Sequence, residues 1–596
     1  MNSKESIRRS FLPARHLLAL VISFCGLITA HADPLWTHKP TQEIKWYRLT
    51  DLGTLLVGTD SNVYCLDPET GKTTWQRDDL KKVEEFEAHE ISGTPLLLVQ
   101  ENSGFTQGKT RLSALDLLSG QTLWQTDKLK GHTVEVATNY EKDMVILLTV
   151  VNSSASKDKP DVTALRLSSG ELLWQSEYTD KVDLYGIERR SRFFPKFDLS
   201  GANPPIFDGD SVYFTYAGLH RYSLGDGKLI WKVAYDVTEG HIKRGNAQAV
   251  IDGDVIYTSA KGQVRAIDRG TGQVKWTSKD FGGAIAEMVV SSNALYGRLG
   301  GVFYDFGKRE YVKKGPLGVV ALDKGTGSQV WIYDGAKNSI TNMALVREAN
   351  MLLIADEKNL IGLDLASQGK VKEAYKVKLE FKYKVGAAAT ATRTAKVGFG
   401  MMSGGILGAA KAGASKGSDT TDDPVQITRR ENGLVVVRGM QHILAFDPQS
   451  KNIAWATSFE APGSASWQKI VMGGLTAASA LANLAGSVQA QASAGYRDSS
   501  ARRFEDKMIA SFNSYEQFLS RRYSATKSTG NFTWVMTNVA DGKEKGAGIV
   551  GVNMMTGQGD RQILFRDKDP DYEVDEATGR VFNLKNPKEL SAFVIK

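Results

Sequence analysis

A thirteen-residue block recurs along this chain, and its clearest copy is Val264-Arg-Ala-Ile-Asp-Arg-Gly-Thr-Gly-Gln-Val-Lys-Trp276. It reads as apolar alternation, Asp, a Gly turn, alternation again and a closing Trp. Period-2 alternation marks strands with one buried face, and Asp followed by Thr-Gly or Ser-Gly supplies a tight turn in which Gly tolerates positive φ. Each block is therefore a β-hairpin. Further copies occupy 63–75, 112–124, 162–174, 219–231, 319–331 and 443–455, with weaker ones around 360–375, 549–565 and 582–595. Spacings of roughly forty to sixty residues are what one propeller blade needs.

A residue that recurs once per repeat serves the repeat. Trp75, Trp124, Trp174, Trp231, Trp276, Trp331 and Trp455 are accordingly expected as structural wedges, each burying a large apolar surface between neighbouring blades. The predicted fold is all-β, a closed propeller of about 8–10 four-stranded blades. The Asp-bearing strand or its degenerate equivalent recurs at Leu66, Leu115, Leu165, Ser223, Ile267, Leu322, Leu363, Phe446, Val552 and Val594, which gives about ten candidates. The last block stops where other repeats still have a Trp-bearing outer strand. Asp33-Pro-Leu-Trp36 is placed to supply that strand and close the ring.

These blocks resemble the pyrroloquinoline-quinone-type propeller repeat, Ala-x-Asp-x-x-x-Gly-x-x-x-Trp, with 114–124 and 321–331 among the matches. The resemblance covers nearly all of the chain after the first thirty-two residues. That family includes quinoprotein dehydrogenases and also catalytically silent scaffolds such as the lipoprotein propeller of the outer-membrane β-barrel assembly machine. The resemblance thus implies the fold strongly and the function weakly.

Residues 1–32 read as a cleaved export signal: a basic start, an apolar run over 17–27, and Ala30-His31-Ala32 as a small-x-small cleavage site. Arg8-Arg9-Ser10-Phe11-Leu12 resembles the twin-arginine export motif, while Ile7 and Pro13 depart from it and leave ordinary secretion open. Phe24 before Cys25 argues against a lipid anchor. The expected location is periplasmic or secreted, with 33–596 forming one propeller domain. After cleavage Cys65 is the one cysteine, expected as a small core residue. The formal charge of +7 falls to about +4 once the signal's four Lys/Arg and one Glu are removed, a balance that does not call for nucleic acid.

Material that does not build a blade must sit in a loop on one face of the ring. A Gly/Ala-rich insertion is read at about 385–423. A second, at about 464–529, carries Val471, Leu475, Ala478, Leu481, Ala485 and Val488, then Phe504, Met508, Phe512, Tyr515 and Leu519, at helical spacing. It is expected as a helical hairpin whose second arm presents Arg502 and Arg503. The uncharged stretch 470–495 contains Thr476, Ser479, Asn483, Gln489 and Gln491, too polar for a typical membrane span. The two readings are a layer over the propeller face and a docking surface for a partner or a membrane interface. A third feature is Arg189-Arg190-Ser191-Arg192-Phe193-Phe194-Pro195-Lys196-Phe197, whose interleaved cations and aromatics suit an anionic or sugar ligand.

A quinoprotein would need pyrroloquinoline quinone in the channel, calcium on oxygen ligands and a carboxylate base. Asp67, Asp116, Asp268, Asp323, Asp364 and Asp447 already belong to repeat turns, and the adjacent-cysteine disulfide of many such dehydrogenases has no counterpart here. His89, His132, His220, His241 and His442 show no zinc spacing. Gly413-Ala-Ser-Lys-Gly417 has no strand before it and makes a poor nucleophile elbow. The sequence favours an exported, non-catalytic propeller scaffold with no cofactor and an envelope protein as partner. The alternative is a periplasmic quinoprotein-like dehydrogenase.

Overall fold

The computed structural model describes residues 33–594 apart from 92–93, 104–107, 152–156, 189–195, 200–202, 241, 243–244, 306–309, 380, 384–419, 423, 431, 440, 461–531, 542–543, 566–570 and 576–577. The expected export signal lies outside these residues. So do the cores of both insertions, Arg189, Arg190, Arg192, Phe193, Phe194, Arg502 and Arg503.

Ten antiparallel sheets follow one another as the blades of a propeller: 44–77, 88–125, 132–177, 206–234, 250–277, 285–333, 344–378, 426–458, 532–564, and 571–594 completed by Trp36–His38. They are called blades 1 to 10. Nine have the four-stranded path a-b-c-d, and blade 9 shows three strands among the described residues, b, c and d. The ring closes as the sequence suggests. Trp36–His38 pairs antiparallel with Glu589–Val594, Trp36 opposite Ala592, so the N-terminal segment is the d strand of the C-terminal blade.

The apolar core lies between blades. Ten hydrophobic clusters fill the ten blade-to-blade interfaces, from Trp46, Leu56, Cys65 and Trp75 against Leu97 and Leu115 to Phe582 and Leu590 against Leu55 and Tyr64 at the closure. Strands b and c are almost wholly buried, as in Leu55–Thr59 and Val63–Leu66, because both of their faces meet a neighbouring blade. The d strands alternate, Thr73–Arg77 burying only Trp75, which marks them as the solvent-facing edge. The a strands of blades 10 and 1, 5 and 6, and 7 and 8 approach one another, which places them on the inner side of the ring.

The Asp of the block builds the c–d turn. Asp268 Oδ1 accepts from the Gly270 and Thr271 N–H groups and the Thr271 hydroxyl at 3.1, 2.9 and 2.9 Å, which holds its carboxyl down at about 2. Asp67 and Asp323 repeat the pattern. Blade 3 has Arg166 at this position, and Asp143 of its a–b turn substitutes, accepting from the Ser168 N–H and hydroxyl at 2.8 and 2.6 Å.

Because neighbouring strands alternate in direction, the a–b and c–d turns of every blade share one face of the ring, here called the turn face. The b–c turns and the links between blades share the other, the link face. Hydrogen bonds agree with this division. The Arg269 N–H donates to Asp254 across two turns of blade 5, while the Phe281 N–H on the link out of blade 5 donates to Gly262 in its b–c turn.

Candidate functional site

Three stretches of sequence depart from the blade repeat, and each leaves the ring on the link face. The link from blade 3 to blade 4 forms a hairpin, Val182–Glu188 paired with Lys196–Leu199, and Lys157–Asp158 of the blade 3 b–c loop adds a third strand. The chain enters and leaves residues 189–195 through these paired strands, and the Arg/Phe patch itself lies outside the described residues.

The first insertion is clamped at its base. Lys382 lies opposite Thr421 and Tyr383 opposite Thr420 in a short ladder, so the chain enters and leaves this stretch at one place. Asp422, fully buried, then accepts from the Gln441 and His442 N–H groups at 2.7 and 2.9 Å, and from the His442 ring at 3.1 Å. Phe381 stacks on that ring at 4.9 Å. This pins the insertion to the b–c turn of blade 8.

The second insertion is different. The chain leaves blade 8 on the link face, where Glu460 accepts from the Thr537 hydroxyl at 2.6 Å and pairs with Lys545 near the b–c end of blade 9. It returns at Phe532, the start of strand b, on the turn face. The residues that join these two ends, 461–531, lie outside the described residues. The signal was present in the sequence as strand parity: the first described strand of blade 9 is a b strand, and b strands begin on the turn face.

Each Trp of the repeat reaches forward to the next blade. The indole N–H of Trp75 donates to Leu117, Trp124 to Leu167, Trp174 to Leu224, Trp231 to Arg269 and Trp276 to Lys324, at 2.7–3.2 Å. Trp36 does the same toward Pro68 across the closure, at 3.0 Å. Trp331 is fully buried, but the blade 7 turn is three residues longer, and Trp331 there lies opposite Gly369 in a parallel bridge. Trp455 packs at Gly557, and its indole N–H has no hydrogen-bond partner.

Carboxylates on the inner strands tie blades together. Glu573 accepts from the Leu49 N–H at 2.7 Å, Glu90 from Asp51 at 2.8 Å and Glu287 from Met343 at 3.0 Å. Burial pushes the Glu573 carboxyl up to about 7, and that of Glu87 likewise to about 7. Asp571 is also raised, by burial and by Glu85. The sequence reading overlooked this group because none of these acids occupies a fixed position in the repeat. Between blades 3 and 4, fully buried His220 contacts the Tyr178 hydroxyl at 2.7 Å and Asp180 at 2.6 Å, and Lys232 holds Asp180 at 2.9 Å. Burial lowers the His220 pKa in spite of Asp180. Tyr178 also donates to the Tyr216 carbonyl at 2.6 Å, which makes the group a polar strut between two blades. Among the described residues, no three His, Cys, Asp or Glu side chains gather as a metal site, and no helix is long and apolar enough to cross a membrane.

The family model described as outer membrane protein assembly factor BamB matches residues 29–184 and 158–374, together more than half of the chain. Outer membrane protein assembly factor BamB of Xanthomonas campestris pv. campestris is 27% identical over 177 residues, 28% of this chain; the chain spans 39% of that relative's length. Among solved structures, BamB from Moraxella catarrhalis covers 70% of this chain and 97% of its own, at 13% identity and a TM-score of 0.31. The quinohemoprotein alcohol dehydrogenase ADHIIG from Pseudomonas putida HK5 covers 72% and 68%, at 13% identity and 0.30. On the family match, with its repeats closed into a ten-bladed ring, this chain belongs to the outer membrane protein assembly factor BamB family.

Proposed function

We propose that this protein is an exported, non-catalytic scaffold of the cell envelope that binds protein partners through the link face, in outer-membrane or envelope assembly. The observation that carries the reading is that the irregular stretches all leave the ring on its link face. The paired strands 182–188 and 196–199, the ladder of 382–383 with 420–421 and the departure of the chain at Glu460 all lie on that face, in a chain whose family is named for assembly. Loops held on a rigid scaffold are where binding residues concentrate. Arg189, Arg190, Arg192, Phe193, Phe194, Arg502 and Arg503 are the partner-contacting candidates in this reading.

The inner strands are compatible with a scaffold. Glu90, Glu287 and Glu573 each already accept a backbone N–H from a neighbouring blade or turn, so their placement has a structural explanation. No cofactor is part of the proposal. Native mass spectrometry of the protein purified from its own envelope fraction tests it: co-purifying envelope proteins on a cofactor-free chain support it. A bound quinone with calcium overturns it in favour of the quinoprotein alternative.

A further inference from the structure

A small cavity lies under the link from blade 4 to blade 5. Asn203, Tyr235, Asn246, Thr258 and Ser259 supply its polar lining, and its volume is about 10 Å³. That is the lower limit for one water molecule. Most polar groups around it are spoken for. The Asn246 amide N–H donates to the Val237 carbonyl at 2.7 Å, which fixes the amide's orientation, and the Ser259 hydroxyl bridges the Ala247 N–H and the Ile285 carbonyl at 2.8 and 2.9 Å.

Two lining atoms are left over. Asn246 Oδ1 and Thr258 Oγ1 make no hydrogen bond to the protein, although the two residues are only 6% and 2% exposed. The Tyr235 hydroxyl lies beside Thr258, whose own Oγ1 has no hydrogen-bond partner. Leaving two such buried atoms unpaired is unfavourable, because each has given up its hydrogen bonds to water. An acceptor, a hydroxyl able to donate or accept, and a second hydroxyl nearby are what one water molecule, with two donors and two lone pairs, can serve together.

We infer that this cavity is a binding site for a single structural water, which donates to Asn246 Oδ1 and hydrogen-bonds Thr258 Oγ1, tying the blade 4–5 link to the b strand of blade 5. The site lies on the link face and is independent of the proposed function.

High-resolution crystal structures of the mature protein, of Thr258→Val and of Thr258→Ser test it, with melting temperatures measured on the same three. The expected result is an ordered water about 2.7–3.2 Å from both atoms, retained with Ser and lost with Val. Thr258→Val then melts lower, by on the order of 1 °C for a chain of this size. An unfilled cavity in the wild-type map overturns the proposal. So does a higher melting temperature for Thr258→Val, the outcome of deleting an unpaired hydroxyl from a dry site.

Discussion

Trp75 of blade 1 packs directly against Gly120 of blade 2. A Cβ on Gly120, whose φ is +69°, would sit 2.6 Å from the Trp75 ring, and the indole N–H is at the same time bonded to Leu117, three residues before that glycine. In blades 1–6 and 9 the turn glycine is thus required by the tryptophan of the blade before it, whereas a Cβ on Gly369 of blade 7 would meet nothing. Where the tryptophan is missing, so is the requirement: blade 7 carries Tyr375 in its place, and the matching turn of blade 8 has Lys451 at φ +56°.

Gly120→Ala should destabilise the ring by about 1–3 kcal/mol, since it adds both a left-handed-region penalty and a clash with an indole. Lys451→Gly, at the equivalent turn, should change stability by less than about 1 kcal/mol. Urea denaturation of both variants checks the contrast, and equal effects would dissociate the glycine from the preceding tryptophan.

Trp276→Ala should cost roughly 3–5 kcal/mol by emptying a buried site between blades 5 and 6. Trp276→Phe keeps most of the ring but loses the bond to the Lys324 carbonyl, 2.9 Å in the native protein, and should cost less. The difference in denaturation midpoints separates packing from hydrogen bonding.

Glu573 gives the stability of the ring a pH dependence. Its folded pKa of about 7 lies above the ordinary 4.5, so the stability associated with the neutral acid is full below pH 4.5 and is lost as pH rises through 7. Glu573→Gln retains an oxygen for the Leu49 N–H and cannot ionise. Its melting temperature should exceed the wild-type value at about pH 8, with the difference shrinking toward about pH 4.5.

The opposite-face ends of 461–531 predict how this stretch tolerates excision. Replacing it with two glycines provides a reach of only about 10 Å, short of a ring about six extended residues, or roughly 20 Å, thick. That variant should lose cooperative unfolding. A twelve-residue Gly/Ser linker should restore the ring, and circular dichroism melts compare the two.

Most of the ring was legible in the sequence because its determinants are local. Alternation, the Asp turn and the Trp each act within a few residues, and the missing outer strand of the last block pointed to Trp36. Other features depend on meetings between distant segments. The pairing of Lys382–Tyr383 with Thr420–Thr421 gives no periodic signal in such short strands. Asp143 standing in for the missing turn Asp of blade 3, and Glu573 reaching Leu49, join positions that only the closed ring brings together. The face from which each irregular stretch leaves the ring was available from strand parity, and parity also puts the two ends of the second insertion on opposite faces.

The most direct test of link-face binding is site-specific photocrosslinking in intact cells. Probes at exposed Asp60, Lys81, Lys261 and Lys358 sample the link face, and probes at Glu69, Ser119, Asp226 and Thr271 sample the turn face. Crosslinks to a discrete envelope protein from the first group, with none from the second, are the predicted result. Crosslinks from the turn face alone would contradict the assignment of the binding surface.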